Sequence, residues 1–395
     1  MPYLHGIEPI FHPDQAGAQV SQPDAGRALP TSLPEYTEEA TRRMSEMAAA
    51  YFLGGAADEI TLAENRRCFD RVGLVPRVLS GGTGGSTALR LLGRDLAHPV
   101  ILAPVAYQRM AHPDGESGTA MAAAALDALM VLSCQASEPL EVPAKVGRTC
   151  RWMQIYMQPA REATLALARR AEAAGYEALV VTVDAPLNGV RNREMRAGFR
   201  LPDGISAVNL ANLPNPPVPP LPDGASAVFD RFMARAPSWD DIRWLRGQTG
   251  LKLVLKGILH PDDAVRAVET GVDALIVSNH GGRVLDSAAP ALVQLPQIAA
   301  AVGPDVPLLL DGGIRRGTDI VKALALGARA VLIGRPIVEA LAVNGAQGVA
   351  HILRLLRDEL EIAMALCGCR RLQDIHPGLL CDLQASPLLP FTKSG

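Results

Sequence analysis

Eight short apolar runs rich in β-branched residues recur from Val100 onward, separated by stretches of helical periodicity. They are VILAP (100–104), LMVLS (129–133), WMQIY (152–156), ALVVTVD (178–184), LKLVLK (251–256), ALIVSN (274–279), PLLLD (307–311) and AVLIG (330–334). Between them lie segments such as REATLALARRAEAAG, DDAVRAVETG and GTDIVKALALG, which end at glycine as helix C-termini do. Strand alternating with helix predicts a parallel sheet with helices as the crossovers. Eight such units predict an α/β chain closed into a TIM (β/α)8 barrel, and 395 residues suffice for one. The competing architecture, an open doubly wound sheet, leads with G-x-G-x-x-G after its first strand. This chain has none there, and GGTGG at 81–85 precedes the repeats and reads as a loop.

Residues 1–34 are rich in Pro, Gly, Ala and Gln without a clear period and read as an irregular arm, leaving 35–395 as the barrel domain. Tyr36–Leu53 carries apolar residues at helical spacing and predicts an N-terminal helical segment ahead of the barrel. One connection is unusually long. About fifty residues separate Asp184 from Trp239, including NLPNPPVPPLPDG, and so much proline predicts no regular structure there. A loop after strand 4 lies on the face of a barrel that carries active sites, where it is either a lid or a passive excursion.

A net charge of −3 gives no surface for a polyanion, so nucleic acid is not expected as a partner. The longest apolar stretch, near Met121–Leu132, is broken by Asp127 and falls short of a membrane span. The opening MPYLHGIEPIFHPDQ lacks the basic and apolar regions of a signal peptide. Cys68, Cys134, Cys150, Cys367, Cys369 and Cys381 do not form the disulfide framework of a short secreted chain, and the C-G-C at 367–369 is too tight for a usual zinc pair. They read as structural thiols of a cytoplasmic protein, with no metal site.

At or just past the C-terminal ends of the runs stand Ala106, Ser133, Gln154 with Tyr156, Thr182 with Asp184, Lys256, Ser278 with His280, Asp311, and Gly334 with Arg335. A barrel builds its active site at those ends. After run 7 comes DGGIRRGTDI (311–320), and after run 8 IGRP (333–336). Glycines that expose backbone N–H groups just before a helix start favour an anion, and loops 7 and 8 are the usual barrel phosphate site. GGIRRG alone is equally a tight turn; paired with GRP in the next unit it reads as phosphate binding.

SNHGGRVLD (278–286) follows run 6. His280 can take a proton near neutral pH, and Arg283 offers a two-pronged fork for a carboxylate. After run 4, Asp184 can orient a protonated His280 across the barrel mouth. Arg191 either supplies a second guanidinium or belongs with Arg193 and Arg196 to a solvated surface cluster. Lys256 ends an apolar run, where a lysine is paired with a fixed anion or placed beside a group that becomes negative.

These segments, with TLAENRRCFDRVGLVPRVL, APVAYQRMAHPDGE, QIYMQ, VVTVDAP, LVLKGIL and DGGIRRGTDIVKALALGARAVLIGRP, resemble the FMN-dependent 2-hydroxy acid oxidases and dehydrogenases over roughly Tyr36–Gly368. The resemblance implies FMN as cofactor and oxidation of a small L-2-hydroxy acid to the 2-oxo acid, with the flavin reoxidised by O2 to give H2O2. It implies that His280 is the base, Asp184 its partner, and Tyr156 a neighbour of the substrate hydroxyl. Tyr51, Arg191 and Arg283 would hold the substrate carboxylate. Lys256 would lie beside flavin N1 and O2. Ala106, Ser133, Gln154, Thr182 and Ser278 would contact the flavin ring or ribityl chain, and Asp311, Gly313, Arg315, Gly334 and Arg335 the ribityl and phosphate. It further implies a homo-oligomer, a tetramer.

Gln135 stands where some plant-type oxidases carry a tryptophan against the substrate, and APVAYQ is closer to the hydroxymandelate oxidase branch. A wider pocket and an aryl 2-hydroxy acid such as mandelate are therefore expected, unless Tyr107 or the long loop refills the gap and leaves a lactate-sized pocket. Three rivals keep parts of the pattern: a dehydrogenase using a quinone or other acceptor, a non-catalytic flavin-binding barrel, and a nucleotide-binding barrel isomerase. The last two do not need His280, Asp184 and both arginines together. The sequence leaves hydride transfer and carbanion chemistry equally open.

Overall fold

The computed structural model describes residues 29–384 except 82, 148–150 and 219, so most of the arm read at 1–34 lies outside the described residues, as does Cys150. Among the described residues eight parallel strands close into a barrel: β1 (Val100–Leu102), β2 (Met130–Ser133), β3 (Arg151–Ile155), β4 (Ala178–Thr182), β5 (Lys252–Ile258), β6 (Ala274–Val277), β7 (Leu308–Asp311) and β8 (Ala330–Ile333). Closure is made by β8 against β1, with Val331, Leu332 and Ile333 opposite Val100, Ile101 and Leu102. Each strand falls on one of the eight apolar runs to within two residues.

Period-2 alternation sorts the strand residues. Ile101, Leu129, Val131, Trp152, Ala178, Val180, Val254, Ala274, Ile276, Leu309, Ala330 and Leu332 form one cluster filling the barrel interior. Leu91 and Leu96 join it from a two-stranded ribbon (Leu89–Leu91 with Arg94–Leu96) placed just before β1. The alternate residues, Leu102, Met130, Leu132, Met153, Ile155, Leu179, Val181, Leu253 and Leu255, face outward and pack under the helices.

Ahead of the barrel lie α1 (Leu33–Arg43), α2 (Glu46–Leu53) and α3 (Ile60–Asp70). The single helix predicted over Tyr36–Leu53 is therefore two. Ser45 breaks it: its backbone is extended and its hydroxyl accepts from the Ala48 N–H, capping a new helix. α1 in turn starts at Leu33, behind a Ser32 cap. The long connection after β4 also departs from expectation, because it holds a five-residue helix (Asn192–Arg196) and a π-helical turn (Ala227–Phe232). Both flank the proline-rich segment and do not enter it. Cys68, Cys134, Cys367 and Cys369 are buried free thiols, whereas Cys381 is exposed. No helix among the described residues is long and apolar enough to cross a membrane.

Candidate active site

The inward positions that follow the apolar interior are Ser133, Gln154, Thr182, Lys256, Ser278 and Asp311, so the last layer of the barrel interior is polar by the same alternation that makes the rest apolar. Parallel register sets Ser133 opposite Gln154 and Thr182 opposite Lys256. The Ser133 hydroxyl donates to Gln154 Oε1 (3.1 Å), and Gln154 Nε2 donates to Thr182 Oγ1 (3.0 Å). Lys256 Nζ donates to Ser278 Oγ (2.9 Å) and pairs with Asp311 Oδ2 (3.1 Å). Burial alone would lower the Lys256 pKa, but the Asp311 and Asp184 carboxylates outweigh it and hold the ammonium charged. A bulge in β5 follows Lys256 and turns on Gly257, whose φ is +109° and where a Cβ would lie 2.5 Å from the Asp184 side chain.

His280 Nδ1 lies 2.9 Å from Asp184 Oδ1. Burial depresses the His280 pKa; Asp184 opposes this, Lys256 reinforces it, and the net value stays below that of ordinary imidazole. Burial would raise Asp184, but His280 and Lys256 hold it below the usual carboxylate range. The pair is therefore neutral imidazole beside carboxylate. Nδ1–H donates to Asp184, and Nε2 is left with its lone pair on the cavity side. His280 itself has φ +57°, and the next two residues are glycines with positive φ.

Above this pair stand the guanidiniums. Arg283 Nη1 donates to the carbonyls of Tyr51 (2.6 Å) and Gly54 (3.0 Å), and the group lies 5.1 Å over the Tyr51 ring. Arg191 is in the cavity wall and not part of an exposed cluster with Arg193 and Arg196: its side chain is 14% exposed, and its Nη1 pairs with Glu194 at 2.8 Å. Burial pushes Tyr51 up to about 12 and raises Tyr156 as well, so both phenols stay protonated as donors. Phe199, from the long connection, stacks on Tyr51 (4.8 Å between centroids, 18° between planes), and Tyr107 lies tilted against Tyr51 (5.9 Å, 59°).

Arg315 and Arg335 form the other end, which adjoins Arg283: Arg335 and Arg283 share the Gly54 carbonyl. Arg335 Nη1 and Nη2 donate to the carbonyls of Gly281 and Gly54, leaving Nε buried without a partner. Burial together with Arg283 and Arg315 brings Arg335 down to about 9, the mark of a cationic site that an anion would relieve. Asp311 Oδ1 is likewise buried and unpartnered. A Cβ on Gly313 would meet the Asn65 carbonyl at 1.9 Å. These features fit a phosphate monoester with a hydroxylated chain, as FMN carries.

A cavity of about 630 Å³ joins both ends and is lined by Tyr51, Ala106, Ser133, Gln154, Tyr156, Thr182, Arg191, Lys256, His280, Arg283, Asp311, Gly313, Arg315, Gly334 and Arg335. Asp184 and Ser278 stand behind this wall, acting through His280 and Lys256. The sequence reading missed Asn65, Arg66, Glu194, Phe199 and Leu201, which also line it. Glu194 left a trace, three residues after Arg191 as helix neighbours are, and Asn65 and Arg66 lie within the TLAENRRCFDRVGLVPRVL segment.

The FMN-dependent dehydrogenase family matches residues 40–382. An L-lactate oxidase of Roseobacter sp. (strain GAI101) is 50% identical over 364 residues, covering 92% of this chain and 97% of the relative. The glycolate oxidase of Spinacia oleracea is 40% identical over 346 residues, covering 87% and 94%. A mandelate oxidase crystallised with benzoyl-formic acid superposes with a TM-score of 0.81 at 40% identity, covering 89% of this chain and 98% of that one. The barrel, the cavity and these likenesses agree, and the chain belongs to the FMN-dependent 2-hydroxy acid oxidase family.

Proposed function

We propose that the chain oxidises a short-chain L-2-hydroxy acid to the 2-oxo acid, with O2 taking the electrons and leaving as H2O2. The observation that carries this is the free Nε2 of the Asp184-held His280, facing the same cavity as Arg191, Arg283 and Tyr51. Ser133, Gln154, Thr182 and Lys256, with Ala106, would hold the flavin ring. Asp311 would take the ribityl chain, and Gly313, Arg315, Gly334 and Arg335 the phosphate. Bound FMN supplies the two-electron acceptor. The arginines and Tyr51 fix the carboxylate, which turns an encounter into an oriented one. Tyr156 donates towards the substrate oxygen, and His280 Nε2 receives the substrate proton. Ser278 steadies both Lys256 Nζ and the His280 backbone N–H. Lys256 sets a fixed positive charge where negative charge develops.

A short side chain is favoured because the rings of Tyr107 and Phe199, packed around Tyr51, share the cavity wall with Leu201 and Gln135. The 50% identity to an L-lactate oxidase agrees with this. The free thiols suit a reducing cytoplasm, and exposed Phe229, Phe232 and Met233 suit contact between copies in a homo-oligomer. The test is anaerobic mixing of purified yellow protein with glycolate, L-lactate, a long aliphatic 2-hydroxy acid and mandelate, followed by peroxide measurement in air. L-lactate is expected to give the highest kcat/KM. A clear preference for mandelate returns the aryl reading, and a protein that binds no FMN defeats both.

Arg283→Lys is expected to weaken L-lactate by roughly 10²-fold while FMN affinity changes little, because a point charge cannot replace the planar fork held by two carbonyls. Equal loss of both ligands in a titration would assign Arg283 to the cofactor or to folding.

A further inference from the structure

The carboxylate clamp already contains an acid of the chain's own. Glu194 Oε1 lies 2.8 Å from Arg191 Nη1 and 3.6 Å from Arg283 Nη2. One carboxylate oxygen thus spans both guanidiniums to which the substrate carboxylate is assigned. With Arg283 Nη1 committed to the Tyr51 and Gly54 carbonyls, Nη2 is the prong left for an anion. Arg191 Nε is buried and has no partner. Burial and Arg191 both push Arg283 below its ordinary value, and Glu194 opposes that shift. Two guanidiniums this close need an anion between them, and in the free protein Glu194 supplies it.

The backbone that carries Glu194 is pinned. Asn192 Nδ2 donates to the Ala57 carbonyl (3.1 Å), and Arg193 pairs with Glu59. Just upstream, a Cβ on Gly189 would lie 1.8 Å from the Val284 carbonyl, so the chain there runs flush against the His280–Arg283 loop. The short helix Asn192–Arg196 is therefore not the part that yields. Any movement that clears the clamp therefore falls to the Glu194 side chain, whose ion pairs are with Arg191 and Arg283.

We propose that Glu194 is a built-in competitor for the substrate carboxylate, neutralising Arg191 and Arg283 in the free enzyme and turning off them when a monocarboxylate binds. Its charge sets how tightly substrate and product are held. The inference rests on the clamp reading of Arg191 and Arg283. It differs from a positioning role in the sign of its effect: an acid that merely holds Arg191 in place helps ligand binding, whereas a competitor opposes it.

The experiment is titration of the FMN-loaded enzyme with pyruvate, followed by the change in flavin absorbance, together with KM for L-lactate. Glu194→Gln keeps the shape and a hydrogen bond to Arg191 but removes the charge. It is expected to lower the pyruvate Kd and the lactate KM by about threefold to tenfold, the scale of one part-exposed ion pair. A Kd that is unchanged or higher in Glu194→Gln overturns the competitor. Arg191→Ala separates this from the underlying reading. If it raises the pyruvate Kd sharply while Glu194→Gln fails to lower it, only the competitor falls. If Arg191→Ala leaves pyruvate affinity untouched, the clamp itself is wrong.

Discussion

Replacing His280 by Ala is expected to leave FMN bound and to slow reduction of the flavin by saturating L-lactate at least ~10²–10⁴-fold, the range of a lost general base. No neighbour can substitute. Tyr51 and Tyr156 are held protonated by burial, and Lys256 is held charged by Asp311 and Asp184. Of the nearby carboxylates, Asp184 stands behind the imidazole, outside the cavity lining, Asp311 is paired with Lys256, and Glu194 is paired with Arg191. The His280 ring bonds to Asp184, and Arg335 holds this loop through the Gly281 backbone carbonyl, which the substitution keeps, so cofactor affinity should survive. One complication is backbone strain, because position 280 has φ +57° and an L-residue in the left-handed region costs roughly 1–2 kcal/mol. His280→Asn answers it, since Asn tolerates that region and is equally unable to act as a base. Both variants should lose flavin reduction to a similar extent in anaerobic stopped-flow mixing. Reduction within a few-fold of wild type in either one would show that the proton goes elsewhere.

Much of this site was legible because a barrel strand obeys a period of two. Once Leu129 and Val131 face inward, Ser133 must follow them, and the same step carries Val254 to Lys256, Ile276 to Ser278 and Leu309 to Asp311. The sequence order of apolar then polar along six of the eight runs thus contains the layered interior and its polar top. The split between α1 and α2 is hidden in the sequence, although Ser45 is a cap residue, because apolar periodicity continues across it. Phe199 and Leu201 were not legible for a different reason. They reach the cavity from a connection whose path depends on tertiary contacts such as Gly189 against Val284, and no local pattern encodes that path. Arg335 was read from its motif as a phosphate ligand; the motif does not show that its two outer nitrogens donate to the Gly281 and Gly54 carbonyls, tying the His280 loop to the end of α2, while Nε stays without a partner.

The second large effect is expected at Asp184. Asp184→Asn should slow flavin reduction by roughly 10²-fold or more, since a fixed charge aimed at the group that becomes positive is lost. The geometry makes this a double penalty. Asp184 Oδ1 takes the Nδ1–H of His280, while Oδ2 is buried without a partner. An asparagine that keeps its oxygen towards Nδ1 preserves the tautomer but no longer stabilises imidazolium. One that turns its NH2 towards Nδ1 forces the proton onto Nε2 and removes the base outright. The pH profile tells which group is being read. Neutral His280 is the active form, and its pKa lies below 6.5, so the acid limb of kcat/KM in the native enzyme should fall below pH 6.5. Asp184 is the neighbour that raises the His280 pKa, against burial and Lys256 which lower it. Removing its charge should therefore move the acid limb to still lower pH even as the rate drops. That combination, slower yet less acid-sensitive, is not what general damage to the fold produces. An acid limb that stays in place or moves upward in Asp184→Asn would break the assignment of the limb to His280.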